Sequence, residues 1–268
     1  MPDDDLSRRY GGKPPTGSLP QNSVLSLLYR HRSVRRYTGA PVDDATVTAL
    51  IAAAQSAATS SNHQAWSVVE VRDPQRADLL ATLAGGQEFI REAAVFLVFV
   101  ADWARARTIA AAHGEQSEAV DYIESTLVGF VDAALAAQNA VIAAESLGLG
   151  TVYVGSVRNA PEQIADLLGL PDGAFPVVGV ALGHPDPSDP AGIKPRLPQQ
   201  VVRHREQYHR ADPADIDEYE AAVTRYYETQ GASRGWISAA IARVRDVAGL
   251  NGRHTLRDAL ARRGFASR

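Results

Sequence analysis

The 268-residue chain contains no cysteine, and only two of its 27 basic residues are lysine. Without cysteine it cannot form a disulfide, a thiolate zinc site, an iron–sulfur cluster or a cysteine nucleophile. The basic residues are 25 arginines together with Lys13 and Lys194. This bias is typical of codon pressure that replaces lysine with arginine wherever either serves, so a remaining lysine marks a position of interest.

A strong charge of one sign is also missing, because 27 basic and 31 acidic residues give a formal net charge of −4. A mildly acidic chain without a basic stripe is a poor candidate for a general nucleic-acid binder. The sequence shows no apolar run of the roughly 18–20 residues needed to cross a bilayer. Residues 1–22 lack the apolar stretch of a secretory signal. We therefore expect a soluble, cytoplasmic protein.

The pattern along the chain predicts four strands separated by helices, which indicates an α/β or an α+β fold with helix as the larger share. The predicted strands are residues 66–71, 95–101, 151–155 and 175–182. The longest helical pattern, residues 118–147, is expected to be the spine of the domain. Residues 1–20 are rich in glycine, proline and charge, which predicts a flexible arm. Residues 21–268 are expected to form one domain, with a helical excursion at about 210–250.

Two basic segments are candidates for binding an anion. The first, His31-Arg32-Ser33-Val34-Arg35-Arg36, combines the planar donor fork of arginine with a hydroxyl, although a solvated basic loop has the same pattern. In the second, Lys194-Pro195-Arg196-Leu197-Pro198, the prolines fix the backbone and hold the two cations at a defined spacing. An ordinary proline-rich loop is the alternative, but the surviving Lys194 favours a phosphate site.

Two polar segments after helices are weaker candidates. Thr59-Ser60-Ser61-Asn62 offers hydroxyls and an amide to the heteroatoms of a planar ring, or it simply ends a helix. Gln87 follows Gly85-Gly86 and either contacts a ring edge or caps a helix.

Familiar catalytic and nucleotide-binding motifs are missing from the sequence. Gly148-Leu149-Gly150 ends a helix and precedes a strand, which is the reverse of a Rossmann fingerprint. No Ser/His/Asp arrangement or pair of carboxylates stands out, and we expect no metal. The economical hypothesis is a phosphate-bearing cofactor that performs the bond chemistry while the protein binds and orients it.

An ordered series of motifs resembles the FMN-dependent nitroreductase/flavin reductase family, nearest to the branch of the oxygen-insensitive NADPH nitroreductase and flavin reductase P. The motifs are His31 to Arg35, Thr59 to Ser61, AGGQ ending at Gln87, Ala136 to Asn159, and GIKPRLP ending at Pro198. The resemblance covers roughly residues 22–268. It implies an α+β fold with a mostly antiparallel central sheet surrounded by helices. It also implies an intertwined homodimer with FMN at the subunit interface.

The same resemblance implies roles for individual residues. The residues that would hold the FMN phosphate are His31, Arg32, Ser33, Lys194 and Arg196. Those that would contact the flavin ring are Arg35 and Gln87 at its pyrimidine edge, Thr59, Ser60 and Ser61 from the other subunit, and Tyr153, Val154, Gly155 and Ser156 along the ring. Ser156 stands where the family has a glycine.

The activity implied by the resemblance is a ping-pong NAD(P)H oxidoreductase. Hydride would pass from NADPH or NADH to FMN, and then two electrons to a nitroaromatic, a quinone or a flavin. The family's basic segment for the 2′-phosphate of NADPH aligns with Gln230 and Arg234, and one arginine should grip a phosphate less tightly than two. Two alternatives stay open: a specialised enzyme for a biosynthetic or halogenated aromatic acceptor, and a flavin-binding protein with poor turnover.

Overall fold

The computed structural model of the protein describes residues 2–268, with side chains described from Asp4 onward. The chain forms two compact units. The first unit comprises the chain up to Ser33 together with Pro190–Leu250, and the second comprises Val34–Asp189 with Asn251–Arg268.

Helices and strands alternate through most of the described chain. The helices are α1 (Pro2–Arg9), α2 (Ser23–Tyr29), α3 (Asp44–Gln55), α4 (Pro74–Leu83), α5 (Glu88–Glu92), α6 (Ala104–Ala112), α7 (Ile123–Ser146), α8 (Pro161–Leu167), α9 (Gln199–Val202), α10 (Pro213–Thr229), α11 (Trp236–Val244) and α12 (Leu256–Arg262). The strands are β1 (Trp66–Val71), β2 (Val95–Asp102), β3 (Gly150–Val154) and β4 (Ala174–Gly183).

The second unit is built on a four-stranded sheet in the order β1-β2-β4-β3, and all three pairings are antiparallel. In the central strand β2, successive side chains point to opposite faces, and both faces are covered. Leu97 and Phe99 enter one hydrophobic cluster, and Phe96 and Val98 enter the other. Burying each such side chain contributes about 1.5–3 kcal/mol. The predicted α+β class and antiparallel sheet are confirmed.

The long helix α7 lies against β2 and α3 with small side chains, among them Ala133, Ala137 and Ala144. Its start differs from the prediction, because a 3₁₀ turn at Glu118–Asp121 precedes it. By length and composition α7 could cross a membrane, although Asp132, Gln138 and Asn139 interrupt its apolar sequence. A core helix of a soluble protein can have the same length and composition. In α7 the side chain of Asp132 is buried within the protein.

In the first unit, the segment predicted to be a flexible arm begins with the helix α1; Met1 of that segment lies outside the described residues. The contacts of three side chains stabilise this helix, although the composition of the segment does not indicate one. Leu6 is buried, Arg8 pairs with Asp4 one turn earlier, and the Arg9 side chain is hydrogen-bonded. The sequence predicted a flexible arm here and did not predict α1.

The helices α10 and α11 occupy the predicted helical excursion in the first unit. The Glu220 carboxylate accepts hydrogen bonds from the N–H groups of Trp236 and Ile237 at 2.7 and 2.8 Å. This carboxylate satisfies free donors at the start of α11. Beyond Leu250 the chain belongs to the second unit, where Phe265 joins the core.

Candidate functional site

Two short segments of the first unit carry the five residues predicted to hold a phosphate. His31, Arg32 and Ser33 follow α2, while Lys194 and Arg196 lie in the loop before α9. Arg32 Nη1 donates to the carbonyl of Ala191, at the beginning of that loop, over 3.0 Å. The structure therefore brings the two predicted segments together.

Three tyrosines of α10 contact the loop that carries Lys194 and Arg196. Lys194 Nζ lies 5.1 Å from the ring centre of Tyr227 and 6.0 Å from that of Tyr226, within the range of cation–π attraction. Tyr219 donates its hydroxyl to the carbonyl of Pro195 over 3.3 Å, and burial raises the pKa of this phenol against the opposing effect of Arg196. The loop therefore has a defined shape, as its prolines predict.

Arg9, to which the sequence analysis assigned no role, connects both segments. Its guanidinium donates to the carbonyls of Tyr29 at 3.0 Å, of Lys194 at 2.9 Å, and of His31. Its own carbonyl accepts from the N–H of Arg196 at 2.8 Å. The residue is only 8% exposed. Nothing local in the sequence distinguishes Arg9 from the other 24 arginines, so the structure was needed to find it.

A cavity of about 840 Å³ in the first unit has an excess of positive charge. Arg196 lines it, and four further cations do so as well. These are Lys13, Arg203, Arg205 and Arg225. Among the described residues its lining includes a single carboxylate, that of Glu218, which lies 2.8 Å from Lys13 Nζ. Cations that converge on a concave surface raise the local concentration of anions.

Arg234 and Gln230, the predicted contacts of a nucleotide 2′-phosphate, line different cavities. Arg234 faces a cavity of about 570 Å³ with the hydroxyl residues Ser233 and Ser238. Gln230 lines another, of about 440 Å³, and donates its side-chain amide to Thr229 Oγ1 over 3.2 Å. Within residues 2–268, no hydrogen bond or ion pair engages Arg234, so its guanidinium is available for a ligand.

In the second unit, a buried carboxylate on α7 shapes the loop that contains Thr59, Ser60 and Ser61. Asp132 is 1% exposed and accepts hydrogen bonds from the Thr59 hydroxyl and from the N–H groups of Ser60 at 3.1 Å and Ala65 at 3.0 Å. Ser61 has a left-handed backbone, with φ of 47°. The side chains of Ser60 and Ser61 are exposed. Asp132 was not among the residues that the sequence predicted for the site.

Arg35 and Gln87, both predicted at one edge of a ring, lie near the start of α5. The Arg35 guanidinium is 5.8 Å from the ring centre of Phe89, two residues after Gln87. The main-chain N–H of Arg35 donates to Asp189 Oδ2 over 3.2 Å. The Gln87 side chain makes no capping hydrogen bond to α5. Gln87 nevertheless occupies the N-cap position of α5, so the helix-cap alternative holds for its backbone but not for its side chain.

The end of β3 carries the remaining predicted residues. Tyr153 donates its hydroxyl to Gln138 Oε1 over 3.2 Å, and its pKa is raised first by burial and then by Glu145. Val154 is buried. Gly155 and Ser156 begin a 3₁₀ turn, in which a Cβ on Gly155 would lie 3.3 Å from Arg158 Nη2. A Cβ at this position would require the Arg158 guanidinium to shift by a few tenths of an ångström.

A buried polar atom without a partner lies directly after this turn. Asn159 Oδ1 has no hydrogen-bond donor among the described residues. A Cβ on Gly85 would lie 3.4 Å from the other side-chain atom of the amide, Nδ2, so Asn159 is close to the segment that leads to Gln87. Unsatisfied buried acceptors are rare, so the Asn159 amide is a further candidate for contacting a ligand.

Comparison with known proteins gives a consistent result over most of the chain. Residues 28–184 match the nitroreductase family, and residues 194–268 match the nitroreductase family, C-terminal domain. The chain is 42% identical over 221 residues to an FMN reductase (NAD(P)H) of Bacillus subtilis, covering 80% of this chain and 88% of that protein. It is 40% identical over 210 residues to an oxygen-insensitive NADPH nitroreductase of Salmonella typhimurium, covering 78% and 85%.

A solved structure gives the same result. The NADPH:FMN oxidoreductase from Vibrio harveyi, complexed with NAD⁺, superposes with a TM-score of 0.83 at 36% identity, covering 92% of this chain and 100% of that one. The likeness therefore extends beyond the sheet to nearly the whole chain.

Proposed function

The chain belongs to the nitroreductase family, and on this premise we propose that it is an FMN-dependent oxidoreductase that takes hydride from NADPH or NADH. The observation that carries the proposal is the gathering of two basic segments in the first unit, joined by the hydrogen bond from Arg32 to Ala191. Their residues are the ones for which the family resemblance implies contact with the FMN phosphate.

The donor set of the first unit suits a phosphate. Arginine binds phosphate oxygens through its planar fork, and lysine acts as a compact point charge. Arg196 also lines the cation-rich cavity, where the local potential favours an anion. We propose that the FMN phosphate is held by His31, Arg32, Ser33, Lys194 and Arg196.

The second unit offers groups that suit a flavin ring. Gly155 has no side chain at the end of β3, Ser60 and Ser61 present hydroxyls, and Asn159 Oδ1 is an acceptor without a donor. We propose that Arg35 and Gln87 face the pyrimidine edge. Contacts along the ring are proposed for Thr59, Ser60, Ser61, Tyr153, Val154, Gly155 and Ser156.

Bound FMN would supply the redox chemistry, namely acceptance of hydride and two-electron reduction of a nitroaromatic, quinone or flavin acceptor. The chain's own residues bind and orient. The phosphate set would hold the cofactor by charge. The Arg35 cation would stabilise negative charge at the pyrimidine edge of the ring. We propose no catalytic side chain, since positioning alone accounts for much of the barrier reduction in such sites.

The exposed face of α7 supports a homodimer. Ile123, Leu127, Val131 and Leu135 recur every four residues and are 43–55% exposed. Residues at this spacing form one stripe along a helix, and a contiguous apolar stripe marks an interaction surface. We propose that the stripe packs against a second copy of the chain, and that the loop at Ser60 reaches the partner's cofactor. A soluble, cytoplasmic protein without nucleic-acid partners is part of the same proposal.

The experiment that tests the proposal is an FMN titration of the purified protein and of the variant Lys194→Ala/Arg196→Ala. Each charge-assisted contact is worth about 1.5–3 kcal/mol, so the double variant should weaken FMN binding at least about 100-fold. Arg257→Ala, an exposed arginine of α12, is the matched control. Anaerobic stopped-flow mixing with NADPH or NADH should then bleach the yellow protein. A colourless protein that binds no FMN and is indifferent to both substitutions refutes the proposal.

A further inference from the structure

The N-terminal segment before residue 28 lies outside both ranges that match the family. It nevertheless contains Arg9, a side chain that is 8% exposed and bonded to both basic segments. We propose that Arg9 is a positioning residue for the cofactor phosphate, acting through the main chain of His31, Lys194 and Arg196. This inference rests on the proposed function.

The geometry places Arg9 at the junction of the two segments. Its side chain donates to the carbonyls of His31 and Lys194, and its main-chain carbonyl accepts from the N–H of Arg196. Three of the five proposed phosphate residues are therefore fixed, through their backbone, by one residue of α1. Residues 31 and 194 are far apart in the sequence, and Arg9 is the side chain that bonds to both carbonyls.

The chemistry of the side chain explains why an arginine is needed. The guanidinium carries five N–H donors in a rigid plane, which suits several carbonyls that converge from different directions. A lysine has a flexible stem and a single donor centre, so it satisfies fewer of these carbonyls in one geometry. Without Arg9 the partly buried carbonyls of Tyr29 and His31 lose a donor, while that of Lys194 keeps a hydrogen bond from Arg196 Nη1 at 3.1 Å. The lost hydrogen bonds would favour a rearrangement of the two segments.

The expected consequence is a loss of preorganisation. With Arg9 in place, the cations of the two segments are already arranged before a ligand binds. Without it, the ligand must order both segments itself, and this cost lowers affinity. Because Arg9 bonds to the main chain of the phosphate set, its loss should affect FMN affinity and leave the rate of the loaded enzyme at saturating FMN unchanged.

The experiment uses the full-length apo-protein and compares Arg9→Met, Arg9→Lys and the neighbouring Arg8→Met, whose guanidinium is exposed and pairs with Asp4. FMN and riboflavin, which has the same ring but no phosphate, are each titrated by quenching of flavin fluorescence. For Arg9→Met we expect the FMN Kd to rise about 10- to 100-fold, with riboflavin affinity unchanged. Arg9→Lys should show a smaller rise, and Arg8→Met none.

The outcomes of these titrations distinguish a positioning role of Arg9 from a general structural one. Equal losses of FMN and riboflavin affinity would show a general structural role and overturn the inference, as would an unchanged FMN Kd. If Arg9→Met does not fold, Arg9→Lys decides by the same two titrations. A wild-type protein that binds neither flavin refutes the proposed function itself. That result differs from a wild-type protein that binds FMN and an Arg9→Met variant that binds it equally well.

Discussion

Each unit fixes a candidate binding segment with one buried charged side chain, but the two charges are opposite. Asp132 in the second unit accepts from Thr59, Ser60 and Ala65. Arg9 in the first unit donates to three main-chain carbonyls. The loop at Thr59 offers N–H groups to Asp132, whereas the basic segments offer carbonyls to Arg9. The sign of the buried charge therefore follows the main-chain groups that need a partner.

The structural surroundings of Asp132 and Arg9 differ as well. Asp132 lies on the long core helix α7, among alanines that pack against the sheet. Arg9 ends an eight-residue helix in which the side chain of Leu6 is buried. Loss of Asp132 should therefore disturb the core of the second unit, while loss of Arg9 should act mainly on the two segments that it joins.

The largest expected effect that tests this comparison is on stability. Asp132→Ala leaves three donors without an acceptor, at about 1–3 kcal/mol each, so we expect the free energy of unfolding to fall by about 4 kcal/mol. Urea unfolding of the apo-protein measures it. Asp258→Ala, at an exposed position on α12, is the control. If the two variants unfold at the same urea concentration, Asp132 does not hold its loop.

The elements that could be predicted from the sequence are those that local pattern determines. β2 was predicted because seven apolar residues in a row fit a strand buried on both faces, and α7 because its period is continuous and ends at Gly148. α1 was missed because its charges obscure a helix in which one leucine is buried and one arginine bonds to distant carbonyls.

The candidate site divides in the same way. Lys194 and Arg196 stand out because prolines and composition mark them, and the structure brings their segment to that of Arg32. Arg9 and Asp132 were missed because their partners, mostly main-chain groups, are distant in sequence. A main-chain partner leaves no complementary residue type to recognise.

An intermediate effect is expected for an arginine of the first unit that, unlike Arg9, has no partner in the described residues. Arg234 lines a cavity with Ser233 and Ser238. If this cavity receives the 2′-phosphate, Arg234→Ala should raise the KM for NADPH about 10-fold, because one charge-assisted contact is lost, and leave the KM for NADH unchanged. Tm should not change. Equal effects on both nucleotides would place the phosphate elsewhere.

The smallest effect is expected for a charge pair that is exposed. On the surface of the second unit, Arg262 donates to both carboxylate oxygens of Glu162 at 2.7 and 2.9 Å. These hydrogen bonds lower the pKa of Glu162 below its usual 4.5. Any stabilisation from the pair is therefore fully present above about pH 4.5, the ordinary pKa, and is lost as the pH falls through the lowered pKa of the folded protein.

For Glu162→Gln we expect no measurable change in Tm at pH 7, since solvent and salt screen an exposed pair. Thermal unfolding of wild type and variant at pH 7, in low and high salt, and again at pH 3 checks this. A loss as large as that of Asp132→Ala would mean that charge pairing itself stabilises this unit. The expected absence of a loss would show that an exposed charge pair contributes little to this unit, in contrast to the buried carboxylate of Asp132.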